Sequence, residues 1–104
     1  MYEDFFAERL AKLREQKNIS AMKMSETLGQ NRNYINQIEN KKSFPTMQVF
    51  FYICEHLGIT PKEFFDEGNE YPAQLSALIE NLKKLDAKAL EGMSIIIQEL
   101  LRKD

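Results

Sequence analysis

The chain has 104 residues, 43% hydrophobic and 29% charged, which suits one compact core with an appended helical piece. Four glycines, three prolines and no tryptophan favour helices over sheets, so the expected fold class is all-α. The formal net charge of −2 argues at first against a polyanionic partner, but its distribution is uneven: Arg9 to Lys42 holds eight bases against three acids, and Pro45 onward holds six bases against ten acids. A basic stretch beside an acidic one is compatible with a nucleic-acid face and a protein-facing part. Cys54, the single cysteine, has no partner for an internal disulfide, and the opening MYEDFFAERL lacks the basic stretch and apolar core of a signal peptide. A cytoplasmic location is therefore expected. No apolar run approaches the roughly 20 residues that cross a bilayer, so no membrane contact is expected.

Phe6, Leu10 and Leu13 recur at helical spacing and predict a first amphipathic helix over about 3–17, ending near Asn18. Ser20 is a candidate N-cap for a short second helix that buries Met24 and Leu28 and stops at Gly29. Asn31 can cap a third, running to about Asn40, with Tyr34, Ile35 and Ile38 inward and Arg32, Asn33, Asn36 and Gln37 outward. After the loop 40–45, Thr46 caps a fourth helix with Val49, Phe50, Ile53, Cys54 and Leu57 inward and Gly58 at its end. Thr60-Pro61 starts a brief fifth helix carrying Phe64 and Phe65. The polar stretch 66–71 is read as a boundary or hinge, dividing a domain of 1–68 from a C-terminal part of 69–104. Two further helices are expected there, over 72–85 and from Asp86 to about Lys103.

Two short helices joined by a tight glycine turn place the second proud of the surface, where it can enter a major groove about 12 Å wide. Amides pair bidentately with adenine and arginine with guanine, so Arg32, Asn33, Asn36 and Gln37 carry chemistry suited to base edges. The stretch 9–65 resembles the phage repressor and Cro-type helix-turn-helix family, also called the XRE family. The matching pieces are Arg9-Leu10, Leu13-Arg14, Ile19-Ser20, Met24, Leu28-Gly29, Tyr34-Ile35, Ile38-Glu39-Asn40, Pro45 and Leu57-Gly58-Ile59-Thr60. The resemblance implies a five-helix repressor-like DNA-binding domain. It also implies base reading by Arg32, Asn33 and Gln37, with Asn36 the weaker candidate, and phosphate contacts at the helix starts, Ser20 and Asn31, and at the loop Asn40, Lys41, Lys42 and Ser43. A structural ion pair between Arg14 and Glu39 is implied in the same way. The chain departs from the family pattern at Ala21, where a phosphate-touching glutamine is usual, at Ser25 for a small alanine, at Gln30 for an aliphatic residue, and at Lys41 for glycine. Ser25 is nearly isosteric with alanine and is expected to matter little.

The implied function is sequence-specific binding of double-stranded DNA by a transcriptional regulator, a repressor acting as a homodimer. The rival reading is a helix-turn-helix-derived interaction module, antitoxin-like or a scaffold, with little DNA affinity and an unidentified protein partner; the acidic balance and Ala21 favour it. The C-terminal helices are expected to form a helical hairpin whose stripe of Leu75, Leu78, Leu82, Leu90, Met93, Ile97, Leu100 and Leu101, with Ile96, makes the dimer interface. The bland alternative packs that hairpin on the fourth helix within one monomer. No enzyme chemistry is expected, because one histidine without a partner and four scattered glycines offer neither a general base nor a phosphate cradle. No cofactor or metal is expected either: Met22, Met24, Met47 and Met93 are read as core, as is Cys54, while His56, diverging from Cys54 on a helix, is read as surface.

Overall fold

The computed structural model describes residues 2–102, and among these every regular element is a helix. The chain divides into two compact units, Met1–Ala73 and Gln74–Asp104. The first holds α1 (Tyr2–Gln16), α2 (Ala21–Thr27), α3 (Tyr34–Glu39), α4 (Met47–Leu57) and α5 (Pro61–Phe64). Their ends are set by local chemistry. The Ser20 and Thr46 hydroxyls accept the backbone N–H of Lys23 and Val49 at 3.0 and 3.2 Å, satisfying donors that the first turn leaves unpaired. Thr60 and Glu63 form a reciprocal capping box around Pro61. Gly29 and Gly58 take left-handed backbones, φ +74° and +71°, which an added Cβ would strain.

These boundaries aim one stripe of each helix at a common centre. Phe6, Leu10 and Leu13 from α1 meet Met24, Ile35 and Ile38, and α4 contributes Phe50, Ile53, Cys54 and Leu57, closed by Ile59 and Phe64. All seven phenylalanines of the chain join one network of ring contacts, with Phe6, Phe50 and Phe64 at 5.0 to 5.7 Å from one another. Burial separates neighbours sharply: Phe64 is fully buried whereas Phe65 is 53% exposed. Phe64 is the last residue of α5 and points into the core, whereas Phe65 is its C-cap, where the chain leaves the helix. Burial also corrects the reading of the methionines: Met24 is core, but Met22 and Met47 are exposed and Met93 is half-buried. Burial pushes the Cys54 thiol up to about 11, which keeps it protonated and unreactive at neutral pH.

The segment 66–71 is not a free hinge. Arg9, on the inward side of α1, is 6% exposed, and its guanidinium donates to four carbonyl oxygens: Phe64 (2.6 Å), Glu63 (2.7 Å), Asn69 (2.9 Å) and Asp66 (3.1 Å). Gln16 Nε2 adds a bond to Glu70 O at 2.7 Å. The reason lies in the fork of the guanidinium, whose several N–H groups can satisfy carbonyls released where α5 stops. The first compact unit includes this polar stretch, buried Pro72 and the start of α6 (Pro72–Leu82).

The second unit carries the rest of α6 and α7 (Ala87–Leu101), joined by the turn at 83–86 and started by an Asp86 side chain that accepts the Ala89 N–H at 2.8 Å. The first of these helices stops at Leu82, short of the expected Leu85; the expected end at Lys103 lies outside the described residues. No residue of α7 is buried. Leu75, Leu78, Leu90, Ile96, Ile97, Leu100 and Leu101 are exposed, and Leu82 and Met93 are half-buried.

Candidate nucleic-acid interface

α2 and α3 pack on each other, and α1 packs on α3. Inward residues Ile35 and Ile38 are 0% and 1% exposed, so α3 is seated by its apolar side and its other side faces solvent. Its start differs from the sequence expectation. Asn31 does not cap the helix proper: its Oδ1 accepts the Asn33 N–H at 2.9 Å, two residues on, making a local turn, and regular helix begins only at Tyr34. Arg32 and Asn33 therefore precede α3 rather than belong to its first turn.

Asn33, the N-cap residue by position, makes no side-chain cap bond. The missing cap is supplied from α2. Ser25 is fully buried, its Oγ accepts the Ile35 N–H at 3.0 Å, and it donates to Ala21 O at 2.8 Å. The hydroxyl is thus a tie between the two helices of the motif, not an interchangeable small group. Ser25→Ala should leave a buried N–H unpaired at the start of α3 and cost about 1–3 kcal/mol. Chemical denaturation of the variant checks this, and a loss below about 0.5 kcal/mol would show that the hydroxyl is dispensable.

Arg32, Asn33, Asn36 and Gln37 are all exposed, and none of their side chains is hydrogen-bonded to another described residue. Their amide and guanidinium donors stand free beside and on α3, on a backbone held by Ile35, Ile38 and Ser25. Of the residues expected at phosphate, Ser20 spends its hydroxyl as an acceptor in its own cap, and Asn31 keeps its amide NH2 unused. Asn40, Lys42 and Ser43 are exposed in the loop after α3. Lys41 is different: its ammonium pairs with Asp4 of α1 at 3.0 Å, and that partner raises its pKa through hydrogen bonding and charge. Its backbone is left-handed, φ +66°, at the position where the resembled family has glycine. Such a conformation costs a β-carbon-bearing residue about 1–2 kcal/mol.

The end of α3 is pinned by charge. Arg14 Nε and Nη2 donate to the two Glu39 carboxylate oxygens at 2.7 and 2.9 Å, while Nη1 donates to Ile19 O at 2.8 Å. Both side chains are largely buried, 13% and 12% exposed, and the hydrogen bonds that Arg14 donates to Glu39, against the opposing effect of burial, raise the Arg14 pKa. One guanidinium thus joins α1, the link before α2 and the end of α3.

A family model described as a helix-turn-helix domain matches residues 7–70, from α1 through the loop that Arg9 holds. The chain belongs to the helix-turn-helix domain family. The curated proteins and the solved structures compared with it give no match. In this helix-turn-helix domain the glycine turn at Gly29 separates α2 from α3, and α3 is the second helix of the motif. Three residues that matter to its geometry carried little signal in the sequence. Arg9 counted as a base and as one matching piece of the resemblance with no role attached, Ser25 as a near-alanine, and Asp4 only as part of the opening MYEDFFAERL. Only Arg9 had a possible flag, a base at an inward helical position beside Leu10 and Leu13.

Proposed function

We propose that this helix-turn-helix domain binds double-stranded DNA sequence-specifically as a transcriptional regulator of the repressor and Cro type, with α3 as the reading helix. The observation that carries the reading is the set of unpaired side chains of Arg32 and Asn33, just before α3, and of Asn36 and Gln37 on it, with α3 itself seated by buried Ile35 and Ile38. Lys42, Asn40, Ser43 and the free amide of Asn31 lie in the adjoining segments and suit phosphate; Lys41 contributes less charge while Asp4 holds it. Selection of bound sequences from a random duplex pool tests the proposal, and failure to recover any motif counts against it. On the selected site, Gln37→Ala or Asn33→Ala should cost about 1–3 kcal/mol and relax discrimination, while Lys42→Ala should weaken every duplex about equally. Equal losses on selected and random DNA for Gln37→Ala would remove the case for direct reading.

The proposal includes a homodimer formed through α6 and α7. Two reading helices must lie about 34–36 Å apart to reach successive turns of a palindromic site. Support comes from the second unit, where Leu75, Leu78, Leu90, Ile97, Leu100 and Leu101 stay exposed and nothing on α7 is buried. Each such side chain gains roughly 1.5–3 kcal/mol on full burial, before association costs. Truncation after Ala73 should leave a folded monomer that binds DNA weakly and without cooperativity. Sedimentation of the full chain as a monomer at tens of micromolar, or of the truncated chain as a dimer, would overturn this part.

One observation favours the interaction-module reading instead. Asp4 neutralises Lys41 beside the reading helix of a chain whose net charge is −2. Salt separates the two: a DNA binder loses affinity steeply between about 50 and 200 mM as counterions are released, whereas a protein-only module shows no such DNA affinity.

A further inference from the structure

A groove of about 450 Å³ opens on the first unit, lined by Tyr2, Phe5, Phe6, Phe44, Phe65 and Glu67. Five of the six residues are aromatic, and the sixth is an acid. Phe6 is nearly buried and forms the floor, Phe5 and Phe65 stack with centroids 6.3 Å apart, and Phe44 stands edge-on to Phe6 at 5.6 Å. Phe44 and Phe65 are each more than half exposed, and Tyr2 more so. Free apolar rings of this extent, drawn together from α1, the loop before α4 and the end of α5, are unusual on a soluble surface without an occupant.

Charge says which occupant. The faces of the rings carry the negative side of the aromatic quadrupole, which attracts a cation within about 6 Å of the ring centre. Glu67 adds a negative charge, and among the described residues no base lines the groove and the Glu67 carboxylate has no ion-pair or hydrogen-bond partner. The volume lies in the range of about 300–1,000 Å³ that takes a small molecule. We propose that this groove is a binding site for a small organic cation, an alkylammonium carrying an apolar or aromatic body. The ammonium sits against Phe44, Phe65 and Tyr2 within reach of Glu67, and the apolar body covers Phe5 and Phe6. Phe44 follows Ser43 directly, so the ligand touches the loop that carries Lys41 and Lys42. The site itself does not depend on the nucleic-acid reading.

Benzyltrimethylammonium and its uncharged carbon isostere neopentylbenzene are the probes, titrated into the full chain with detection by protein and ligand NMR. The expected result is saturable binding of the cation. Its N-methyl signals should shift upfield under the rings, and the neutral isostere should bind at least about fivefold more weakly. Glu67→Gln removes only the charge, and Phe44→Leu and Phe65→Leu remove π faces while keeping apolar bulk at exposed positions. Each should weaken the cation about three- to tenfold with the circular dichroism unchanged. Equal binding of the two probes, unaltered affinity in the ring variants, or no saturation by about 5 mM would each overturn the proposal. So would a change in self-association of the full chain on Phe44→Leu without any ligand binding, since the groove would then be covered by a second copy.

Discussion

Replacing Arg9 by Met should destabilise the first unit by about 3–5 kcal/mol, the largest effect of any single substitution considered. The methionine keeps the packing of the stem but leaves the carbonyls of Glu63, Phe64, Asp66 and Asn69 without their donor, in a place where Arg9 itself is 6% exposed. A domain of this size holds about 5–15 kcal/mol in all, so such a loss should lower the thermal midpoint by about 15 °C or more. Amide exchange should rise first over 63–70, because the bonds lost are those that tie this segment to α1. Lys12→Met is the control: its pairing with Glu70, 3.7 Å and about half exposed, should be worth under about 1 kcal/mol. A loss for Arg9→Met as small as that of the control would mean that water replaces the guanidinium, and the buried-clamp account would fail.

Glu39→Ala should cost about 2–4 kcal/mol, because it strands the Arg14 guanidinium in a site where both partners are nearly buried. The bidentate geometry fixes the end of α3 against α1, so the effect is architectural even though the residues are charged. Arg14→Met should cost more than Glu39→Gln, since it also releases Ile19 O. A double-mutant cycle over the two positions reads the pair directly, and coupling below about 0.5 kcal/mol would reduce it to an ordinary surface contact. Loss of the pair should also loosen the Gln37 and Asn36 positions, so DNA discrimination, once measured, should fall along with stability.

Both effects join residues far apart in the chain, and this separates what could be read from the amino-acid order from what could not. The order and boundaries of the helices follow from interactions spanning three or four residues. Ser20, Thr46 and Thr60 each reach a backbone N–H three residues on, Gly29 and Gly58 accept left-handed turns, and Phe6, Leu10 and Leu13 repeat at helical spacing. The exposed amide row around α3 was legible for the same reason, since the inward residues Ile35 and Ile38 leave the rest outside.

Tertiary structure decided the remainder. Arg9 finds its acceptors 54 to 60 residues away, and only the folded chain brings the end of α5 and its following loop across α1; a polar stretch that reads as a hinge is thereby tied down. Ser25 becomes the cap of a helix that begins nine residues later because the glycine turn folds α3 back against α2. Asp4 meets Lys41 only when α1 lies beside the loop after α3. The aromatic groove is likewise invisible in the order of residues, because Phe5, Phe44 and Phe65 carry the same apolar signal as buried Phe50 and Phe64. Which rings face solvent depends on how the helices close around a core that already has its fill of side chains.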